Sequence, residues 1–238
     1  MPVEEGLRQK LAMANRIIVN ENLTELGRGH VAYKLEEGKI LIPGHLHDFQ
    51  RSIADCTASD IVTIDYDGNV LEGSYPESMH EFYFYSEVFQ VRRDVKAALH
   101  MHSFYANLLG ITDSKLQMST RDSFLFIDGL PVFDGLPLFV NTKEMGYRMA
   151  QALGKSKAVL HRGHGAFVVG ESIEDVVITA ASLERAAKKQ YMASALGSIV
   201  EYDHDRVRRT DTKDIREEVS GIDWGYFVTR LEKKGTVY

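Results

Sequence analysis

The stretch Ala98-Leu99-His100-Met101-His102-Ser103-Phe104-Tyr105 (ALHMHSFY) closes a short apolar run and carries two histidines one residue apart. Val95 to Leu99 is short enough for a buried strand, and on a strand the side chains at i and i+2 leave the same face. His100 and His102 therefore point together while Met101 turns toward a core. Ser103 then starts a short helix, SFYANLLG, closed by Gly110. The spacing suits a shared divalent cation. Pairs of core or surface histidines show it too, so the decision rests on what else the chain brings.

Upstream, SMHEFYFYSEVFQV (78–91) reads as a helix with Phe82, Tyr85 and Phe89 on one face, Ser78 as its amino-terminal cap and Glu81 in its first turn. Before it, HVAYKL (30–35), KILIP (39–43) and DIVTIDYDGNVLEG (60–73) read as a meander of short strands with a hairpin at Asp67-Gly68. The chain opens on an amphipathic helix whose stripe is Leu7, Leu11, Ala14, Ile17 and Ile18, with Leu23 near its end.

Downstream, SFLFI (123–127) and PLFV (137–140) are strand-like patches in a loop-rich region. Thr142 caps a helix that ends near Gly154, and KAVLHRGHGAFVVG (157–170) forms two strands around a glycine turn. Ser172 precedes a long helix through about Leu196, with Asp175 favouring its positive end. Strands set between flanking helices predict a three-layer α/β/α arrangement.

A chain of 238 residues, 44% apolar and 26% charged, can bury a sizeable core. The net charge of -6 argues against a general nucleic-acid or anionic-membrane partner, and Arg206, Arg208 and Arg209 read as a solvated basic face. Cys56 stands alone, so no intrachain disulfide framework exists. No run approaches the roughly 18 apolar residues of a membrane span, and the amino terminus lacks a secretory pattern. A soluble, cytoplasmic protein is expected.

Further ligands come from two places. His164, between glycines in HRGHGAFVVG, is the candidate for a third nitrogen, with His161 as the competing choice. Glu81, nineteen residues before His100, can return a carboxylate to the same mouth. Three histidines and one carboxylate accept Zn2+ or Mn2+, and equally Fe2+ or Co2+.

With Glu81, HMHS (100–103) and RGHGAFVVG (162–170) in matching order and spacing, the chain resembles the class II aldolase/adducin family over about residues 7–200. The resemblance implies a three-layer α/β/α domain with a central mixed, mainly antiparallel sheet, and a homotetramer with active sites at subunit boundaries. It also implies that His100, His102 and His164 hold one divalent metal ion and that Glu81 is the catalytic acid/base. The chain thus reads as a catalytic domain, 1–200, followed by a highly charged extension, 201–238, whose Ile222, Trp224, Tyr226, Phe227 and Val228 are able to dock.

Sugar-phosphate aldolases of this family hold phosphate with hydroxyl-rich loops. Here the corresponding segments are Gly29-His30-Val31-Ala32, Ile42-Pro43-Gly44-His45 and Pro76-Glu77-Ser78, and Glu77 would repel a phosphate. GHVA is instead similar to the GHVS segment of members that decarboxylate hydroxylated aromatic or pyridine carboxylates. His30, His45, His47, Tyr105 and Trp224 are the candidate substrate-binding residues. No carboxylate partner for a second metal beside His45 and His47 is obvious. A metal-dependent lyase acting on a small-molecule carboxylate is the leading expectation, an aldolase the closest rival, and a non-enzymatic adducin-like scaffold the third.

Overall fold

In a computed structural model, which describes residues 3–46, 51–136, 139–209 and 213–235, the chain begins with helix α1 (Val3–Asn20). Strands β1 (Gly29–Lys34), β2 (Ile40–Pro43), β3 (Ile61–Ile64) and β4 (Val70–Glu72) follow, then helix α2 (Tyr83–Val91), strand β5 (Ala97–Met101) and helix α3 (Phe104–Gly110). The second half holds β6 (Val132–Phe133), α4 (Lys143–Leu153), β7 (Ala158–His161), β8 (Gly165–Gly170), α5 (Ile173–Ser194), α6 (His204–Arg209) and α7 (Lys213–Gly235). None of the described helices is long and apolar enough to cross a membrane.

The strands form one sheet in the order β4-β3-β2-β1-β5-β8-β7-β6. Every pairing is antiparallel except that of β6 with β7. β5 is hydrogen-bonded on both sides, with His100 opposite His30 on β1 and Phe167 on β8. Helix layers cover both faces of this strand, and its period-two alternation sorts residues between two cores. Leu99 and Met101 join the core beneath α1, α3 and α5, while Ala98 joins Phe84, Val88 and Met149 of the α2/α4 layer. Burying side chains such as Leu99 and Met101 contributes about 1.5–3 kcal/mol each. The result is the three-layer α/β/α arrangement.

Local chemistry sets the ends of these elements. The Thr142 and Ser172 hydroxyls accept from the Met145 and Asp175 amides and so cap α4 and α5. Asp65 accepts from the amides of Asp67 and Asn69 to close the β3–β4 hairpin.

Three local expectations change. The helix expected from Ser78 starts at Tyr83: Ser78 is bridged to Gly44, and Glu81 lies in the turn ahead of α2. SFLFI is a 3-10 turn (Ser123–Phe126), because Ser123 bonds back to Thr120 and the backbone closes locally. Of PLFV, residues 137 and 138 lie outside the described residues and Phe139 and Val140 are not strand; β6 forms earlier, beside β7. In addition, Gly110 is the last residue of α3 itself, with Ile111 as the cap.

Gly165 is where β8 crosses closest to the end of β5. A Cβ there would overlap the Met101 carbonyl oxygen and touch His102. Gly165→Ala should therefore cost about 1–3 kcal/mol of stability, the range for overpacking. Urea denaturation measures this, and an unchanged midpoint would remove Gly165 as a packing constraint.

Candidate metal and active site

Three chain segments converge on the carboxyl end of β5. His100 is the fourth residue of that strand, and His102 lies just past it, bridged to Thr24. The β7–β8 turn contains Gly163 at φ +70 and brings His164 alongside, with the His164 amide bonded to the His161 carbonyl at 3.0 Å. Glu81 enters from the turn before α2. That turn is fixed by Phe84, whose amide bonds to the Glu81 carbonyl at 3.1 Å and whose ring stacks on His100 at 4.4 Å and on Phe167 at 5.3 Å.

One donor atom from each of Glu81, His100, His102 and His164 lies within 4.8 Å of the others. Glu81 Oε2 stands 3.7 Å from His100 Nε2 and 3.8 Å from His164 Nε2. The three imidazole centroids are 4.6, 4.9 and 4.6 Å apart.

Burial decides the charge state of this group. It raises the Glu81 carboxyl to about 7, partly opposed by the Val140 amide that donates to Oε1 at 3.0 Å. It holds His100 well below the usual histidine range, and takes His102 down to about 4, helped by the positive charge of Arg28. Neutral imidazoles with available lone pairs are what a cation requires.

The hydrogen bonds also select the tautomers. His100 Nδ1 donates to the Ala166 carbonyl at 3.2 Å, which leaves Nε2 as a buried atom with no hydrogen-bond partner. His161 Nε2 faces the Gly135 carbonyl at 3.4 Å and must donate; its Nδ1 then accepts from His164 Nδ1 at 3.1 Å. His164 Nε2 is thereby kept as a lone pair facing Glu81. A buried, unpartnered nitrogen beside a carboxyl, two more imidazoles and a fixed tautomer make a donor set that fits a divalent ion.

The other candidate residues are placed differently. His30 is buried beside His100, with ring centroids 6.1 Å apart, and its Nδ1 meets the Tyr85 hydroxyl. His45 joins Glu77 and His80 in a separate cluster. His47 lies outside the described residues. Tyr105 was a candidate for substrate binding; it packs instead against α5, with Tyr191 at 5.8 Å and the Lys188 ammonium at 5.4 Å. Trp224 of α7 is half-buried against the α1/α3/α5 core, so it too stands apart from the four donors.

Sequence reasoning missed three contributors. Tyr85 is fully buried, donates to the His30 carbonyl at 2.7 Å and accepts from the His100 amide at 3.3 Å. Val140 supplies the amide on Glu81, and Phe139, exposed, sets its ring 5.9 Å from His164. Only Tyr85 left a trace in the sequence, as part of the aromatic face of α2.

Residues 9–191 match the model of the class II aldolase and adducin N-terminal domain. The chain is 28% identical to the 3,4-dihydroxyphthalate decarboxylase of Arthrobacter keyseri, over 81% of this chain and 80% of that one. Its fold is similar to that of an aldolase II superfamily protein from Pseudomonas syringae, with a TM-score of 0.81 at 22% identity, covering 100% and 96% of the two chains. It is also similar to L-fuculose 1-phosphate aldolase from Glaciozyma antarctica, with a TM-score of 0.80 at 22% identity, covering 97% and 90%.

The His161 relay can be isolated. His161→Leu removes the acceptor for His164 Nδ1 and should weaken divalent-metal affinity by about 10–100-fold, the usual effect of losing an outer hydrogen bond. His161→Gln, which keeps a side-chain oxygen, should recover part of it. Chelator competition with Zn2+ reads both, and equal affinity in the Leu variant would end the relay's role.

Proposed function

The chain belongs to the class II aldolase and adducin family, and from that premise we propose a divalent-metal-dependent carbon-carbon lyase. Its preferred reaction is decarboxylation of an aromatic or heteroaromatic carboxylate carrying an ortho hydroxyl. The observation that carries this reading is Glu81: a carboxyl raised to about 7 by burial, 3.7 and 3.8 Å from the Nε2 atoms of His100 and His164, is a proton donor beside a cation site. The similarity to a dihydroxyphthalate decarboxylase supports the aromatic class, as does the exposed Phe139 ring beside His164.

In this reading His100, His102 and His164 hold one ion, Zn2+ or Mn2+ by donor type, with Fe2+ and Co2+ also compatible. When bound, the ion supplies positive charge to the substrate's carboxylate and hydroxyl oxygens. Val140 pins Glu81 Oε1 and leaves Oε2 toward the histidines. As the bond to the carboxyl carbon breaks, its electron pair stays on the ring carbon and carbon dioxide leaves. Glu81 then delivers its proton to that carbon and is reprotonated from solvent. His30, His45 and His47 are assigned to the substrate's remaining acidic or hydroxyl groups, with His30 working from behind His100.

Residues 1–200 form the catalytic domain. The extension 201–238 with Trp224 serves a neighbouring protomer's pocket in a homotetramer, since within its own chain Trp224 packs on the opposite layer from α2. The aldolase reading uses the same carboxyl and histidines on a hydroxy-carbonyl substrate. The loops Ile42–His45 and Pro76–Ser78, poor in hydroxyl donors and carrying Glu77, weigh against a sugar phosphate.

Carbon dioxide release from hydroxybenzoate and hydroxypyridine carboxylates, assayed beside aldehyde release from sugar phosphates, separates the two. Cleavage of a sugar phosphate alone would replace the decarboxylase by the aldolase. Glu81→Gln should retain most of the metal and lose about 10²–10⁴-fold in turnover, whereas His100→Ala and His102→Ala should lose metal and turnover together. Full turnover by Glu81→Gln would contradict the assigned proton transfer.

A further inference from the structure

A second group of metal-ligating side chains stands one peptide bond from Glu81. His45, Glu77 and His80 each offer a donor atom, and these atoms lie within 4.8 Å of one another. The two imidazole rings are 4.0 Å apart and tilted by 38°. Glu77, thirty-two positions after His45, is the carboxylate partner that was not obvious beside His45 and His47.

The main chain makes this juxtaposition. The His45 amide donates to the Glu77 carbonyl at 2.9 Å, and the Met79 amide to the Pro43 carbonyl at 3.3 Å. Between them Gly44 bridges Ser78. Gly44 is anchored in turn, its amide on the Asp60 carbonyl at 2.8 Å, and the Tyr75 ring fills the space that a Gly44 Cβ would occupy. Tyr75 donates its hydroxyl to Asp60 at 2.6 Å. Two segments tied in this way hold the three side chains on one side at little conformational cost, the pre-organisation that a binding site needs. His45 is half-buried, and Glu77 and His80 are exposed, so an ion reaches the group from solvent.

We propose that His45, Glu77 and His80 form a second divalent-cation site of the two-histidine, one-carboxylate type. Imidazole donors favour Zn2+, Ni2+ or Co2+ over Mg2+ and Ca2+. Bonds of about 2.0–2.2 Å hold tetrahedral ligands roughly 3.3–3.6 Å apart, so closure from the observed spacing needs only small rotamer changes. Three protein ligands leave at least one position for water or an anionic oxygen. An ion here would replace the repulsion of Glu77 with attraction for a second acidic group of the substrate; that consequence rests on the lyase reading above, and the site itself does not.

The full chain, stripped with chelator and titrated with Zn2+ by calorimetry, should take up two ions. Metal analysis after desalting and the absorption spectrum with Co2+ count them independently. In His80→Ala and in Glu77→Gln one site should weaken by roughly a hundredfold or more, while the other keeps its affinity; circular dichroism confirms the fold of each variant. A single ion in the native chain would overturn the proposal, as would two ions retained in both variants with unchanged affinity. A chain that binds one ion and releases carbon dioxide rejects this site alone. A chain that binds two and releases neither carbon dioxide nor aldehyde rejects the lyase reading alone.

Discussion

The antiparallel pairing of β5 with both β1 and β8 is the constraint from which the rest follows. A strand hydrogen-bonded on each side has no freedom to slip, because a shift of one residue would exchange its faces. Leu99 and Met101 would then move from the α1/α3/α5 core to the layer where Phe84 and Phe167 stack, and His100 would replace them in an apolar core. The register that buries Leu99 and Met101 is thus also the one that aims His100 at Glu81. Packing and site geometry are fixed by the same ladder.

The site's electrostatics follow from the same burial. Burial moves the Glu81 carboxyl and the His100 and His102 imidazoles toward their uncharged forms. The Glu81 carboxyl rises and the His100 and His102 imidazoles fall, so these rings offer lone pairs beside a carboxyl that carries a proton close to neutral pH. The His161 and Ala166 hydrogen bonds add direction, because each occupies the Nδ1 side of a ring and leaves Nε2 inward. Burial is the largest cause of each shift, and the positive charge of Arg28 adds to it at His102.

Much of this was legible in the sequence because it depends on local rules. Period-two alternation placed Met101 opposite His100 and His102, hydroxyl caps at Thr142 and Ser172 marked two helix starts, and glycines around His164 marked the turn. What was hidden depends on tertiary contacts. Glu81 lies outside α2 because Gly44 claims Ser78 in a bridge, and no helix propensity encodes that. Val140 reaches Glu81 from fifty-nine positions away, and His161 acts through a carbonyl at Gly135. Tyr105, a candidate substrate-binding residue, is placed by a contact of the same kind: the Glu184 carboxylate takes the Tyr105 and Ala106 amides and ties α3 to α5.

The buried Nε2 of His100 shows why such a site is retained at a cost to the fold. An unpartnered polar atom in the interior costs about 1–3 kcal/mol, and His100 Nε2, on a ring stacked against Phe84, is such an atom. A leucine at position 100 would pack against Phe84 and Phe167 without that penalty. Folding therefore carries a deficit at the end of its central strand that the apolar layers must offset. An ion bound by the native state alone would return it, since such binding adds RT ln(1 + [L]/Kd) to stability. The penalty and the affinity come from one source: the lone pair that is costly to bury is the one offered to the cation.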